Sequence, residues 1–197
     1  DDVDDQGSCM VLTLPEGTGR IEDCVRRSKL YDVRRARDRA RRRGTVSLER
    51  ADAATIGEQF EALLRLHGVR WASRGEPGGV LASAKLRDFH RQAAPAMLAT
   101  GVLRLYALRI DGQTIGSYYG FLHRTRAYAY LTGFDPAYGF ESPGTIILAH
   151  AIEEAMREGA REFHMLRGRE PYKYAWGATD RPNRRRCFRL ANAGCVP

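Results

Sequence analysis

The chain has 197 residues, 43% of them hydrophobic and 28% charged, the balance of a globular protein able to bury one sizeable core. No run approaches the roughly 18 apolar residues of a membrane span. Four cysteines (Cys9, Cys24, Cys187, Cys195) show neither a CxxC pair nor metal-ligand spacing, so reduced, incidental thiols, no metal and a cytoplasmic setting are expected.

The net charge of +8 belongs to one segment. Residues 26–43 hold ten Lys/Arg against two Asp, and the remaining 22 basic residues meet 22 acidic ones. Residues 1–8 are acidic, polar and expected to be disordered. Cys9–Leu14 (CMVLTL) reads as a short strand stopped by Pro15. Ile21–Arg43 lacks Pro and Gly, carries a thin apolar line through Ile21, Val25, Tyr31, Val33, Ala36 and Ala40, and predicts one helix ending at Gly44. Thr45–Glu49 alternates as a strand, and Ala53–His67 has helical spacing at Ile56, Phe60, Leu63 and His67. Gly68–Gly79 reads as a Gly- and Arg-rich loop around Trp71, and Val80–Ala99 as a helix bent at Pro95. Three strands follow: Val102–Ile110, Gln113–His123 and Ala127–Phe134. The Asp111-Gly112 pair between the first two is a strong hairpin signal.

After the third strand comes a turn at Asp135-Pro136, then Ser142 at a helix N-cap position with Pro143 at the first helical one. The helix shows an apolar stripe through Ile147, Leu148, Ala151, Ile152, Ala155 and Met156, and Gly159 closes it. Its mouth is a potential anion site, with an ordinary strand–helix crossover as the plainer reading. Glu162–Leu166 predicts a strand parallel to Ala127–Phe134, Tyr172–Trp176 a short helix, and Arg185–Leu190 a last strand. A meander that becomes a parallel pair lets two neighbouring strands part at their ends and admit a ligand.

That element order resembles the acetyltransferase fold of the GNAT superfamily, an α/β fold with a mixed, mostly antiparallel sheet and flanking helices. Separate words are similar to the CelD-like (BioF2-like) acetyltransferases, relatives of the FemAB aminoacyltransferases. These words are VRRARDRARRRG, LHGVRWASRG, DFH (Asp88–His90), LRLYALRIDGQTIGSYYGF, YLTGFDP, SPGTIIL and LRGREPYKYAWG. The resemblance implies a GNAT-like domain over 45–191, a tail over 192–197, and an extension over 9–44 linking to an additional N-terminal half of a longer protein. It also implies an acyl-CoA donor, probed by Leu131, Thr132 and Gly133 along its arm and by Ser142, Gly144, Thr145 and Ile146 at its diphosphate. The loop GFESPGT departs from the Q/R-x-x-G-x-G/A pattern, having Gly144 and no Gln or Arg lead. Aminoacyl-tRNA therefore stays open as the donor.

Acyl transfer to an amine needs a neutral nucleophile, a stabilised oxyanion and a proton for the leaving group. Lys173 is expected to be the electrostatic stabiliser, Tyr174 or Tyr172 the acid, and His164 a candidate base. His67, Arg70, Trp71, Arg74, His90, Arg167, Glu170 and Trp176 are candidates for binding an amine or amino-sugar acceptor. Three functions stand together: an acyl-CoA-dependent N-acyltransferase in polysaccharide or cell-envelope biosynthesis, a FemAB-type aminoacyltransferase, and a non-enzymatic nucleic-acid-binding module using Val33–Arg43.

Overall fold

In the computed structural model, residues 2–17, 19–73, 75 and 79–187 are described. Arg74, Cys195, residues 188–190 of the expected last strand and the tail over 192–197 lie outside them. Among the described residues, seven strands form one sheet in the order β2-β3-β4-β5-β6-β1-β7. These are β1 (Asp2–Thr13), β2 (Val46–Arg50), β3 (Leu103–Ile110), β4 (Gln113–His123), β5 (Arg126–Phe134), β6 (Glu162–Arg167) and β7 (Thr179–Cys187). The helices are α1 (Arg27–Arg43), α2 (Ile56–Ala72), α3 (Ala84–Ala99), α4 (Pro143–Arg157) and α5 (Pro171–Ala175). Every neighbouring pair is antiparallel except β5–β6, the parallel pair produced by the α4 crossover.

Apolar side chains on both faces of β3 and β4 require cover on both sides. On one face, Leu30, Val33, Ala36 and Ala40 of α1 join Ile147, Ala151 and Ile152 of α4 over Tyr106, Leu108 and Tyr118. On the other, Phe60 and Leu63 of α2 and Ala94 of α3 meet Leu105, Tyr119 and Leu131. The β3–β4 hairpin turns on Asp111 and Gly112, both at positive φ (48° and 78°), the geometry of a two-residue primed turn.

Four expectations need correction. Residues 2–8 are strand: β1 runs from Asp2, and its register sets Asp4 opposite Arg185 and Asp5 opposite Arg184 of β7. Residues 9–44 are not an appended extension, because β1 fills the sheet between β6 and β7 while buried Met10, Leu12 and Leu14 join the core of α1 and α4. The expected Ile21–Arg43 helix is broken into a 3-10 turn (Ile21–Asp23) and α1, with the Arg20 amide donating to Asp23 (2.7 Å) and Arg26 extended between them. The last strand begins at Thr179, six residues early, and Pro182 is accommodated because β7 is an edge strand.

Candidate functional site

The parallel pair is short. β5 and β6 are in register at Arg126–Glu162, Ala127–Phe163 and Tyr128–His164, yet β5 runs on to Phe134 and β6 to Arg167. β5 stays paired to β4 as far as Phe134, and β6 stays paired to β1 as far as Arg167. Each strand is thus held by its outer neighbour while the two part from each other. Leu166, on the parting side, has φ +57°, a conformation costly for a branched side chain and common where a site dictates the backbone.

The gap is a cleft of about 710 Å³. β5 contributes Tyr130, Leu131, Thr132 and Phe134, and β6 contributes Met165, Leu166 and Arg167. Ser142, Gly144 and Thr145 from the α4 mouth form one end, and Glu170, Tyr172, Lys173 and Trp176 of the α5 region form another wall. Ser142 occupies the N-cap position at φ +54°, and its hydroxyl donates back to the Gly139 carbonyl (3.4 Å) rather than capping the helix. A Cβ on Gly144 would lie 3.2 Å from the Phe134 ring, so the helix mouth sits against the end of β5.

α2 supplies the side expected to come from a loop. The helix continues through Gly68 to Ala72, so Arg70 and Trp71 are helical. Gly disfavours a helix interior by about 1 kcal/mol, and two side-chain ties to β5 hold this turn in place. His67 Nδ1 donates to the Thr132 carbonyl (3.2 Å), while Arg70 donates to that carbonyl (3.2 Å) and to the Thr132 hydroxyl (2.6 Å). The Arg70 guanidinium also lies 4.6 Å from the Phe134 ring centroid. Burial lowers the His67 imidazole below its ordinary 6.5; the Thr132 carbonyl opposes this and the Arg70 charge reinforces it. His67 is therefore uncharged at neutral pH. With the proton on Nδ1, its Nε2 lone pair has no hydrogen-bond partner among the described residues.

Lys173 is almost fully buried. Its ammonium donates to the carbonyls of Arg167 (2.7 Å) and Gly168 (3.3 Å) and pairs with Glu170 (2.9 Å), which engages its three donors. It fixes the turn between β6 and α5, and its charge is offset on the cleft wall by Glu170. Burial pushes the Glu170 carboxyl up, but the Lys173 hydrogen bond, its own amide and the Lys173 charge outweigh this and hold it below the usual range.

Most expected site residues therefore meet in one cleft: Lys173, Tyr172, Leu131, Thr132, Ser142, Gly144, Thr145, His67, Arg70, Trp71, Arg167, Glu170 and Trp176. Five do not line it. Tyr174 turns away and donates to Asp180 (2.9 Å), a carboxylate it shares with Arg169. His164 stacks on Tyr128 (ring centroids 4.8 Å apart) and bonds Glu162 (2.9 Å). Glu162 also meets Arg181 and Arg126, and is held at about 2 by the bonds from Arg181 and His164. Ile146 is a core residue. Gly133 faces α2, where a Cβ would come within 2.5 Å of the His67 nitrogen, so it serves close packing of helix on strand. His90 is buried behind the cleft, within hydrogen-bond reach of the hydroxyls of Tyr119 (3.3 Å) and Tyr130 (3.4 Å), and so positions a cleft residue.

Sequence reasoning missed Lys29, which sits 5.1 Å from the Trp176 ring centroid and lines the cleft from α1. It also missed Tyr130 and Phe134. The aromatic alternation Tyr128, Tyr130, Phe134 was visible, but not which face would open.

The sequence matches a family model described as an acetyltransferase (GNAT) domain over residues 27–174. No curated protein matches the chain. Among solved structures, the chain is similar in fold to FemX (TM-score 0.68, 11% identity, covering 87% of this chain and 58% of that one). It is also similar to the C-terminal domain of a putative lysylphosphatidylglycerol synthetase from Agrobacterium fabrum (TM-score 0.63, 12% identity, 93% and 60% covered). L-PGS from Bacillus licheniformis is a third (TM-score 0.60, 11% identity, 93% and 61% covered). The chain spans about three fifths of the length of these structures, and the likeness is one of fold. Among the described residues no helix is long and apolar enough to cross a membrane.

Proposed function

The chain belongs to the acetyltransferase (GNAT) domain family and is an N-acyltransferase domain, and we propose that it moves an acyl group, acetyl first among them, from acyl-CoA to the amine of an acceptor such as an amino sugar. The resemblance to CelD-like proteins supports a role in polysaccharide or cell-envelope biosynthesis, on the cytoplasmic side, alongside an N-terminal half of the same protein. The observation that carries the reading is the parting of β5 and β6 beyond Tyr128 and His164, with the α4 mouth at the end of the opening.

The edge of β5 that parts from β6 near Leu131 receives the carrier's amide-rich arm as it would an added strand, while the Thr132 carbonyl stays with His67 and Arg70. The acyl carbonyl then lies against the cleft wall whose turn Lys173 fixes. A neutral amine attacks this carbonyl, the new C–N bond forms, and the C–S bond breaks. The amine sheds a proton to solvent, and the departing thiolate takes one up from the Tyr172 phenol, the tyrosine of α5 that reaches the cleft, which solvent then reprotonates. His67, uncharged and holding an unshared lone pair, stands with Arg70 on the acceptor side. Titration calorimetry with acetyl-CoA tests the reading. Saturable binding is expected, and no heat at about millimolar ligand, weaker than about −4 kcal/mol, sinks it.

The basic face of α1 beside the cleft favours a second reading, aminoacyl transfer from charged tRNA as in FemAB-type enzymes. That reading requires activity to vanish on ribonuclease treatment. The non-enzymatic reading of Val33–Arg43 is set aside, because this helix is part of an enzyme domain and buries Val33, Ala36 and Ala40 in its core.

A further inference from the structure

Next to the cleft lies a second, more polar cavity of about 210 Å³. Lys29, Asp32, Arg35 and Arg39 of α1 form one side, and Ser142 and Thr145 of α4 the other. Lys29, Ser142 and Thr145 line both cavities, so the cleft continues into the basic one around the α4 mouth. Three cations face one anion there. Asp32 lies 3.8 Å from the Lys29 ammonium and offsets part of that charge, leaving an excess of two.

Two other arginines of α1 are directed to carboxylates elsewhere: Arg37 to Glu153 (2.6 Å) and Arg41 to Asp38 (3.7 Å). Arg35 and Arg39 instead lie on aromatic rings. The Arg35 guanidinium is 5.5 Å from the Tyr31 centroid, and the Arg39 guanidinium is 4.3 Å from that of Phe140, with a hydrogen bond to the Phe140 carbonyl (3.0 Å). Both rings are open to solvent, Tyr31 at 59% and Phe140 at 69% exposure. Paired guanidiniums bind phosphate oxygens with forked donors, and exposed rings beside them offer a stacking face to a base.

We infer that this cavity takes a phosphate at the nucleotide end of the acyl donor, with Arg35 and Arg39 as its ligands and Phe140 as the face on which the base lies. The inference rests on the acyl-CoA reading and deepens it: side chains from α1 supply the positive charge that the GFESPGT loop lacks. A mononucleotide fits better than an RNA, because the cavity is small.

The test uses adenosine 3′,5′-bisphosphate as a probe, with acetyl-CoA turnover measured in parallel. R35A/R39A is compared with R41A/R42A, which removes the same charge from the same helix outside the cavity. The first pair should weaken the probe about tenfold and the second less than about twofold, as for specific charged contacts against a screened field. Added salt should weaken the probe more for the parent than for R35A/R39A. Equal losses in the two pairs, or no loss in R35A/R39A, overturn the inference. Undiminished acetyl-CoA affinity in R35A/R39A overturns it while the acyl-transfer reading stands. Probe binding lost in R35A/R39A, with no acetyl-CoA turnover by the parent, leaves the cavity in place and sinks the acyl-CoA reading. Displacement of the probe by a CCA-ended RNA at lower concentration than by acetyl-CoA reassigns the cavity to RNA and overturns the proposal.

Discussion

Replacing Lys173 by Met separates what this side chain holds from what it charges. The stem keeps its bulk, but the carbonyls of Arg167 and Gly168 lose their donor. A buried acceptor left unpaired costs about 1–3 kcal/mol. The 2.7 Å bond to Arg167 counts in full and the 3.3 Å bond to Gly168 in part, while relief of the ammonium's own desolvation returns some of the loss. The expected destabilisation is about 2–3 kcal/mol, or about 5–10 °C in melting temperature for a chain of this length. Glu170 adds little, since its carboxylate is 53% exposed and rehydrates readily, so Glu170→Gln should cost less than about 1 kcal/mol. Thermal and urea melts of the parent and both variants measure this. The turn also carries Arg167 and leads to Tyr172, so Lys173→Met should lower kcat as well. A Lys173→Met protein melting within a degree of the parent, or a Glu170→Gln protein melting as low as Lys173→Met, refutes the carbonyl account.

Three further outcomes follow from the site. Gly133→Ala sets a Cβ 2.5 Å from the His67 nitrogen and 2.8 Å from the Leu66 carbonyl carbon, backbone atoms that cannot swing away; it should cost about 1–3 kcal/mol and raise the acceptor KM, and an unchanged urea midpoint would contradict the packing. Tyr172→Phe should lower kcat by about 10²-fold or more if its phenol is the acid, whereas Tyr174→Phe, whose hydroxyl is committed to Asp180, should leave kcat near the parent value; the reverse pattern exchanges the two roles. Burial lowers His67, His90 and His150 below 6.5 in the folded state, so the unfolded chain binds more protons just below that pH. Stability should be flat above about 6.5 and decline as pH falls through the lowered values, a decline that His90→Gln makes shallower in pH-dependent urea melts.

Local chemistry determined the elements of this protein. Alternating apolar residues around Asp111-Gly112 specify β3, the turn and β4, because only a primed turn matches strand twist. Ser142-Pro143 and Gly159 bracket α4, and the element order from Val46 onward resembles the acetyltransferase fold, in keeping with the family match over residues 27–174. The charge excess of residues 26–43 was likewise plain, and so were most of the residues that line the cleft. What those residues face was decided only in three dimensions. β1 enters between β6 and β7, a long-range pairing that no local propensity encodes. That placement turns a supposed extension into sheet and sets α1 beside the α4 mouth. α2 outlasts Gly68 because His67 and Arg70 reach Thr132 across the fold, a tertiary tie that overrides a poor helix former. Tyr172 and Tyr174 are two residues apart on one short helix, about 200° around its axis, so the same spacing that makes them indistinguishable in sequence sends one to the cleft and the other to Asp180.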